Sequence, residues 1–263
     1  MPTFTLGSKF LLNRASELGL LLALTGSLLG GQTGITPGIA ASSLPLAAVL
    51  SAQPAPVTLD LRKTAVIVVD MQNDFGSAGG LFDLMGLDMT EIQKAVAPTA
   101  RVLAAARKIG APIIYLKMAD IGVSKRGPDG QRHPVLVRDT WNTEILTELK
   151  PQPEDIQIYK RRYSGFFETE LDTVLKKLGI KQLIFTGCTT SVCVESTIRD
   201  AFFRDYSCVL LADCTAEPCG AEFPRSNYAA SLYLIEKRFG SVSNSTEYLK
   251  TVEASKAPVK SGE

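Results

Sequence analysis

The feature that most constrains the fold of this chain is an alternation of buried strand patterns with amphipathic helical patterns. Residues 64–70 (TAVIVVD) form a continuous β-branched run that ends in a carboxylate, as expected of a central parallel strand. A helical spacing of apolar residues follows at 90–109, Gly110 ends it, and 111–118 is the next strand pattern. This alternation predicts an α/β protein with three α/β/α layers around a central, mostly parallel sheet.

The same alternation continues along the rest of the chain. Strands are predicted at 154–159, 182–185 and 207–213, and helices at 167–178, 194–204 and 226–239. The segment 120–135 is polar and rich in Gly, Pro and Lys, which predicts a surface loop. We predict one folded domain over residues 57–250, preceded by a targeting segment with a flexible spacer at 1–56 and followed by a disordered tail at 251–263.

The first part of the chain has the composition of an export signal. Lys9 and Arg14 precede an apolar stretch at 18–31, and the small residues at 38–40 offer a cleavage site. Residues 33–56 are rich in Ala, Ser, Pro and Gly, as in a flexible spacer. These observations favour a periplasmic or secreted protein over a cytoplasmic protein with a disordered tail.

The composition excludes several classes of partner. The 28 basic and 27 acidic residues are nearly balanced, so nothing indicates binding to nucleic acid. No stretch after residue 60 is long and apolar enough to span a membrane, so we expect no membrane contact after processing. His133 is the single histidine, which excludes a His-rich metal site. The expected partner is a small-molecule substrate.

All five cysteines of the chain lie within a short C-terminal stretch, at Cys188, Cys193, Cys208, Cys214 and Cys219. An odd number leaves at least one thiol unpaired, and no Cys-x-x-Cys pair is present, so we expect neither a metal site nor a thioredoxin-type site. In an exported protein, a disulfide among the last three cysteines stays an open alternative.

Cys193 stands where a predicted strand gives way to a predicted helix. That position suits a nucleophile, because the first N–H groups of a helix favour an anion, but a small buried hydrophobe is the plain alternative. Two further reactive side chains, Asp70 and Lys160, also stand at or just past strand ends, where parallel sheets bind their ligands. Asp70 can act as a base if burial raises its pKa. This convergence favours the nucleophile; His133, in a polar loop, has no evident orienting partner.

Three segments together resemble the signature of the isochorismatase-like cysteine hydrolases. They are DMQNDF at 70–75, Lys160 with YSGF at 163–166, and GCTTSVC at 187–193 followed by VEST. The resemblance runs from about residue 61 to residue 242. It implies a catalytic triad without a cofactor or metal: Cys193 as nucleophile, Asp70 as base and later acid, and Lys160 as the group that stabilises the thiolate and orients Asp70.

The resemblance also implies a non-proline cis peptide between Cys188 and Thr189, with the backbone N–H groups of Thr189 and Cys193 forming an oxyanion hole. Within the family, the likeness is to amidohydrolases of ureido and carbamoyl compounds. Asp120 is followed by Ile121 and Gly122, so the metal motif of the nicotinamidases is missing.

The candidates for substrate binding are polar or aromatic residues near the predicted triad. They are Asn73, Phe75, Trp141 and Tyr163. Members of the family are commonly oligomers, so a homo-oligomer is one option. Two rival functions stay open: a non-catalytic small-molecule binding protein that retains the fold, and a thiol redox role for the cysteine cluster.

Overall fold

The computed structural model describes residues 47–122, 124–126 and 132–255. The chain divides into Met1–Ala41 and Ser42–Glu263, and every described residue belongs to the second unit. The predicted apolar stretch at 18–31 and its cleavage site therefore lie outside the described residues. No helix among the described residues is long and apolar enough to cross a membrane.

In the part of the chain that the structure describes, ten strands form one large sheet and two small ones. The strands are β1 (Ala48–Leu50), β2 (Val57–Leu59), β3 (Thr64–Val69), β4 (Ile113–Met118), β5 (Ser124–Arg126), β6 (Arg132–Pro134), β7 (Ile156–Lys160), β8 (Gln182–Cys188), β9 (Ser207–Ala216) and β10 (Ser241–Ser243). The large sheet has the order β10-β9-β8-β3-β4-β7, and all of its neighbouring strands are parallel. The predicted parallel sheet is thereby confirmed.

Seven α-helices accompany the strands in the described part of the chain. They are α1 (Asn73–Gly76), α2 (Leu81–Leu84), α3 (Thr90–Lys108), α4 (Leu171–Lys177), α5 (Glu195–Phe202), α6 (Asn227–Leu234) and α7 (Ser245–Ala254). The longest, α3, matches its predicted range within one residue and presents Ile92, Val102 and Leu103 to the core. Every residue of β3 and β4 is buried, because helices cover both faces of a parallel sheet.

One glycine lets the two central strands come together. Gly187 in β8 pairs with Val69 in β3 and has φ +113°. A Cβ atom at this position would lie 2.0 Å from the Val69 carbonyl oxygen, far inside contact distance. Only glycine fits here, and the end of β8 can therefore lie directly against the end of β3.

Both predicted boundaries of the folded domain need correction. Leu50 of β1 is fully buried, and Gln53 exchanges backbone hydrogen bonds with Val242, so the domain starts before residue 57. At the other end, α7 runs through Ala254 with Val252 buried, so the chain is still folded past residue 250. The sequence did not reveal the short β1, because the composition around it is that of a flexible spacer. Hydrogen bonds to residues some 200 positions away in sequence stabilise this segment.

Two other local predictions also differ from the structure. The predicted loop at 120–135 contains the antiparallel hairpin β5–β6, in which His133 pairs with Lys125. The helix predicted from residue 194 begins earlier, as a π-helical turn over Thr190–Val194 that leads into α5. A propensity pattern does not distinguish a π turn from an α-helical one, because both have helical backbone angles.

Candidate active site

The order of the strands creates a crevice at the carboxyl ends of β3 and β8. From β3 the chain continues to β4 and β7 on one side of the sheet, and then returns to β8 on the other side. Ligands of open α/β sheets bind at such a switch point. Asp70 directly follows β3, Lys160 ends β7, and Cys188 ends β8. The topology thus brings side chains that are distant in sequence to one edge.

Asp70 and Lys160 form a fully buried ion pair. The Lys160 Nζ atom lies 2.6 Å from Asp70 Oδ2, and the two side chains are 0% and 1% exposed. Lys160 Nζ also donates a hydrogen bond to the Arg162 carbonyl oxygen at 3.3 Å. Asp70 has φ +50°, a left-handed conformation that is uncommon for a residue other than glycine. The surrounding fold therefore fixes this carboxylate in one orientation.

Cys193 lies against this pair. The residue is only 6% exposed, and the charges of both Asp70 and Lys160 act on the pKa of its thiol, which places the thiol beside them. Among the described residues, Asp70 Oδ1 is buried and has no hydrogen bond of ordinary geometry, so this oxygen can receive a proton. The structure brings together all three side chains that the sequence singled out as a triad.

The protonation of the three groups follows from their burial. Burial raises the pKa of the Cys193 thiol well above its usual value, and Asp70 raises it further. Burial also raises the pKa of Asp70, although Lys160 opposes that shift. Burial acts against the charge of Lys160, yet Asp70 and Cys193 hold the pKa of Lys160 above its usual value. Lys160 lowers the pKa of the Cys193 thiol, against the larger effect of burial, and its predicted role in stabilising a thiolate stays a prediction.

The turn that carries Cys193 has two unusual backbone features. The Cys188–Thr189 peptide is cis, as the resemblance implied. Thr189 is followed by the π-helical turn, in which its carbonyl oxygen accepts hydrogen bonds from Val192 at 3.2 Å and Val194 at 3.1 Å. Such π turns are frequent at functional sites. The oxyanion role of the Thr189 and Cys193 N–H groups stays a prediction.

Two buried polar side chains near the triad had no predicted role. The Thr197 hydroxyl donates to the Cys193 carbonyl oxygen at 2.6 Å and accepts from the Gly165 N–H at 3.1 Å, linking the nucleophile to the segment after Lys160. The Gln72 side chain accepts from the Met118 N–H at 2.7 Å and donates to the Met118 carbonyl oxygen at 3.0 Å. The spacing of Thr197, one helical turn after Cys193, was the signal that could have revealed it.

The four predicted substrate-binding residues divide into two groups. The Asn73 amide donates to the Trp141 carbonyl oxygen at 2.8 Å, and Phe75 packs edge-on against Phe82 in the core. Both residues are at least 93% buried and have structural contacts, and their contact with substrate stays a prediction. Trp141 and Tyr163 are 47% and 59% exposed, and their contact with substrate stays a prediction.

The other cysteines carry no bridge in this structure. All five thiols are free, with Cys208 and Cys214 buried and Cys219 exposed. Cys188 is also buried, and its Sγ atom lies 3.2 Å from the Asp70 carbonyl oxygen. Over the part of the chain that the structure describes, no group of three or more His, Cys, Asp or Glu side chains is arranged to hold a metal ion.

Comparison with known proteins agrees with this geometry. A model of the isochorismatase domain matches residues 64–247. Ureidoacrylate amidohydrolase of Caulobacter segnis is 41% identical over 221 residues, which cover 77% of this chain and 91% of that protein. The enzyme of the same name from Stutzerimonas stutzeri is 39% identical over 236 residues, which cover 82% of this chain and 93% of the relative.

Solved structures show the same architecture. A cysteine hydrolase from Pseudomonas syringae pv. phaseolicola superposes with a TM-score of 0.65 at 30% identity, covering 75% of this chain and 95% of the other. N-carbamoylsarcosine amidase from Thermoplasma acidophilum superposes with a TM-score of 0.55 at 27% identity, covering 70% and 96%.

The fold and the buried cysteine at its switch point define the class of α/β cysteine hydrolases. The predicted fold class is confirmed by these structural neighbours. More narrowly, the chain belongs to the isochorismatase family, as its three signature segments indicated.

Proposed function

We propose that the protein cleaves a carbon–nitrogen bond of a small ureido or carbamoyl compound, with Cys193, Asp70 and Lys160 as its catalytic residues. The chain is an amidohydrolase that acts on carbon–nitrogen bonds other than peptide bonds. Its relatives confirm this predicted enzyme class. The observation that carries the finer proposal is a buried Asp70–Lys160 pair at the switch point of the sheet, with Cys193 buried close enough for both charges to act on its thiol.

The first half of the reaction forms an acyl-enzyme. As Cys193 Sγ attacks the carbonyl carbon, its proton moves to the Asp70 carboxylate, since burial raises the pKa of the thiol and a base must take that proton. Asp70 then gives this proton to the leaving nitrogen as the carbon–nitrogen bond breaks. Lys160 holds Asp70 in place through the ion pair and moderates the rise of its pKa.

The second half regenerates the enzyme with water. Asp70 takes a proton from the water molecule that attacks the thioester, and the proton returns to the Cys193 sulfur as it leaves. In both halves, the backbone N–H groups of Thr189 and Cys193 are the proposed donors to the oxyanion. A ureido substrate gives an amine and a carbamic acid, which decomposes to carbon dioxide and ammonia.

The names of the relatives support the substrate class. The curated relatives are ureidoacrylate amidohydrolases, and one structural neighbour is an N-carbamoylsarcosine amidase. Both names describe a carbonyl flanked by nitrogen. We therefore propose a screen for ammonia release over ureido acids, carbamoyl amino acids and simple amides. Turnover confined to simple amides would contradict the ureido and carbamoyl assignment.

We also propose that the protein is exported, on the basis of its basic start and the apolar stretch at 18–31. N-terminal sequencing of the mature protein from its native host tests this proposal. The expected first residue lies just after the small residues at 38–40. A mature chain that begins at or next to Met1 would contradict export through a cleaved signal.

A further inference from the structure

A buried carboxylate outside the triad is bonded to the turn that carries the nucleophile. Glu217 directly follows β9 and is only 6% exposed. Its Oε2 atom accepts hydrogen bonds from the Ser191 N–H at 2.9 Å and from the Ser191 hydroxyl at 2.5 Å. Its Oε1 atom accepts from the Cys219 N–H at 3.1 Å. Ser191 lies two residues before Cys193, in the π-helical turn.

A second connection joins the end of β9 to the same turn. The Thr215 hydroxyl donates to the Gly187 carbonyl oxygen at 2.7 Å and lies 2.8 Å from the Thr190 hydroxyl. Because a hydroxyl has one proton, Thr190 must be the donor to Thr215. The segment from Gly187 to Ser191 is thus attached at three positions, immediately before the nucleophile: Gly187 and Thr190 to Thr215 of β9, and Ser191 to Glu217 just after it.

The charge of Glu217 depends on these contacts. None of the ion pairs found among the described residues includes Glu217. Its carboxylate is therefore stabilised by three hydrogen-bond donors: the Ser191 N–H, the Ser191 hydroxyl and the Cys219 N–H. A buried carboxylate without such donors is unfavourable by several kcal/mol, as an order of magnitude, and charge-assisted hydrogen bonds are about twice as strong as neutral ones. The carboxylate and the turn therefore hold each other in one arrangement.

We propose that Glu217 is a positioning residue for the reaction: it fixes the nucleophile turn so that Cys193 Sγ faces both Asp70 and the substrate carbonyl. This inference rests on the proposed function, since it assigns a role in the same reaction. Glu217 touches neither reacting atoms nor the triad side chains by hydrogen bond in the described structure, and acts through Ser191.

The surroundings of Glu217 allow it to be tested by substitution. It borders a cavity of about 430 Å³ between α3 and the end of β9, which Tyr228 also lines. Water from this space can reach the donors left by a removed carboxylate, so the fold can tolerate the change.

The experiment compares three variants at two readouts. Glu217→Ala removes both acceptor atoms, whereas Glu217→Gln keeps one oxygen that can still accept from both Ser191 donors. Asp155→Asn is the matched control: the Asp155 side chain is buried and paired with Arg107, but the residue precedes β7, the strand at the edge of the large sheet that lies away from β9. The readouts are steady-state kinetics on the best substrate of the screen and the rate of Cys193 alkylation by iodoacetamide, measured on its peptide by mass spectrometry.

We expect Glu217→Ala to lower kcat by roughly 100-fold with KM nearly unchanged, since a small misplacement of a reacting group can cost about that much. Glu217→Gln should recover part of this loss. Alkylation of Cys193 should become several-fold faster in Glu217→Ala, because a released turn exposes a thiol that is normally buried. Asp155→Asn should show neither effect at a comparable loss of Tm.

Other results would overturn the inference. One is a kcat and an alkylation rate in Glu217→Ala that stay within twofold of the wild type. Another is an Asp155→Asn variant that loses as much kcat as Glu217→Ala. If the wild type hydrolyses no screened compound, the proposed function fails, and the alkylation rates alone still decide whether Glu217 positions Cys193.

Discussion

At the scale of single residues, the site depends on one ion pair buried without access to water. Moving two charges out of water is unfavourable, and the pair persists because Asp70 and Lys160 meet at 2.6 Å with a further donor contact to a backbone carbonyl. Loss of either partner leaves the other as an isolated buried charge. The same pair therefore contributes to both stability and reactivity, and substitutions should reveal both contributions.

Replacing Lys160 by alanine should lower both stability and activity. The uncompensated Asp70 carboxylate should reduce the free energy of unfolding by about 3–5 kcal/mol, and kcat should fall because Asp70 is no longer held. Urea unfolding and steady-state kinetics measure the two effects. Lys176→Ala removes an exposed ion pair with Asp172 and serves as the control, with little change in either quantity. A Lys160→Ala variant as stable as the wild type would contradict the buried pair.

Replacing Asp70 by asparagine should remove the general base, so that kcat falls by about 10²–10⁴-fold. Because burial raises the pKa of Asp70, the wild-type kcat/KM should rise with pH through a limb that lies above the ordinary carboxylate range. Asp70 accepts a proton only when its carboxylate is ionised, so kcat/KM falls as the pH is lowered through its pKa. Profiles of kcat/KM against pH test this, and a limb that survives in Asp70→Asn would exclude Asp70 as its source.

At the scale of elements, the contact between β3 and β8 sets the position of the nucleophile turn. Gly187→Ala would place a Cβ atom 2.0 Å from the Val69 carbonyl oxygen, at φ +113°. We expect the free energy of unfolding to fall by at least about 2 kcal/mol, because the substitution both strains the backbone and forces β8 away from β3. Gly110→Ala is the matched control, because its φ is +68° and its added Cβ meets nothing within 4 Å.

Equilibrium unfolding in urea compares the two glycine variants. Gly110→Ala should show only the strain of a left-handed residue, about 1 kcal/mol. Equal losses in the two variants would mean that the close approach of β8 to β3 is unimportant.

The sequence predicted the elements whose signals are local. Thr64–Val69 and α3 were predicted nearly to the residue, because an unbroken buried strand and a long helical period each leave a clear pattern. Asp70, Lys160 and Cys193 stand out in the sequence because each lies at or just past a predicted strand end, and the carboxyl ends of parallel strands share one edge; their roles as a triad came from the family resemblance.

The sequence did not predict features that depend on distant contacts. Glu217 accepts a hydrogen bond from Ser191 beyond the point where the pairing of β8 with β9 shifts, between Phe185 and Gly187, and no local pattern encodes that irregularity. The raised pKa of Cys193 also depends on contacts between residues that are distant in sequence. It reflects burial by the assembled fold, whereas the helix terminus and Lys160 had suggested a stabilised thiolate.

At the scale of the whole molecule, residues at the start of the described chain are hydrogen-bonded to residues near its end. The Thr251 hydroxyl donates to the Val49 carbonyl oxygen at 3.1 Å, and the Ser243 hydroxyl donates to the Ser51 carbonyl oxygen at 2.6 Å. These contacts join β1 and the residue after it to α7 and β10, and Leu50 between them is completely buried. The segment before residue 57 therefore belongs to the folded domain.

Two truncations test this boundary. Removal of residues 1–46 should leave Tm unchanged, because it keeps β1 and its partners. Removal of residues 1–56 should lower Tm clearly, since Leu50 and the hydrogen bonds to α7 and β10 are lost. Thermal unfolding followed by circular dichroism measures both. Equal Tm values for the two truncations would mean that the folded domain starts at residue 57, as the sequence predicts.

Attack of Cys193 on the substrate carbonyl is the step on which the proposed function depends. Its test is ammonia release by Cys193→Ala, compared with wild type on the best ureido or carbamoyl substrate. We expect no release above the uncatalysed background, with a Tm close to that of the wild type. A correctly folded Cys193→Ala that hydrolyses the substrate at a rate near the wild-type rate would contradict it.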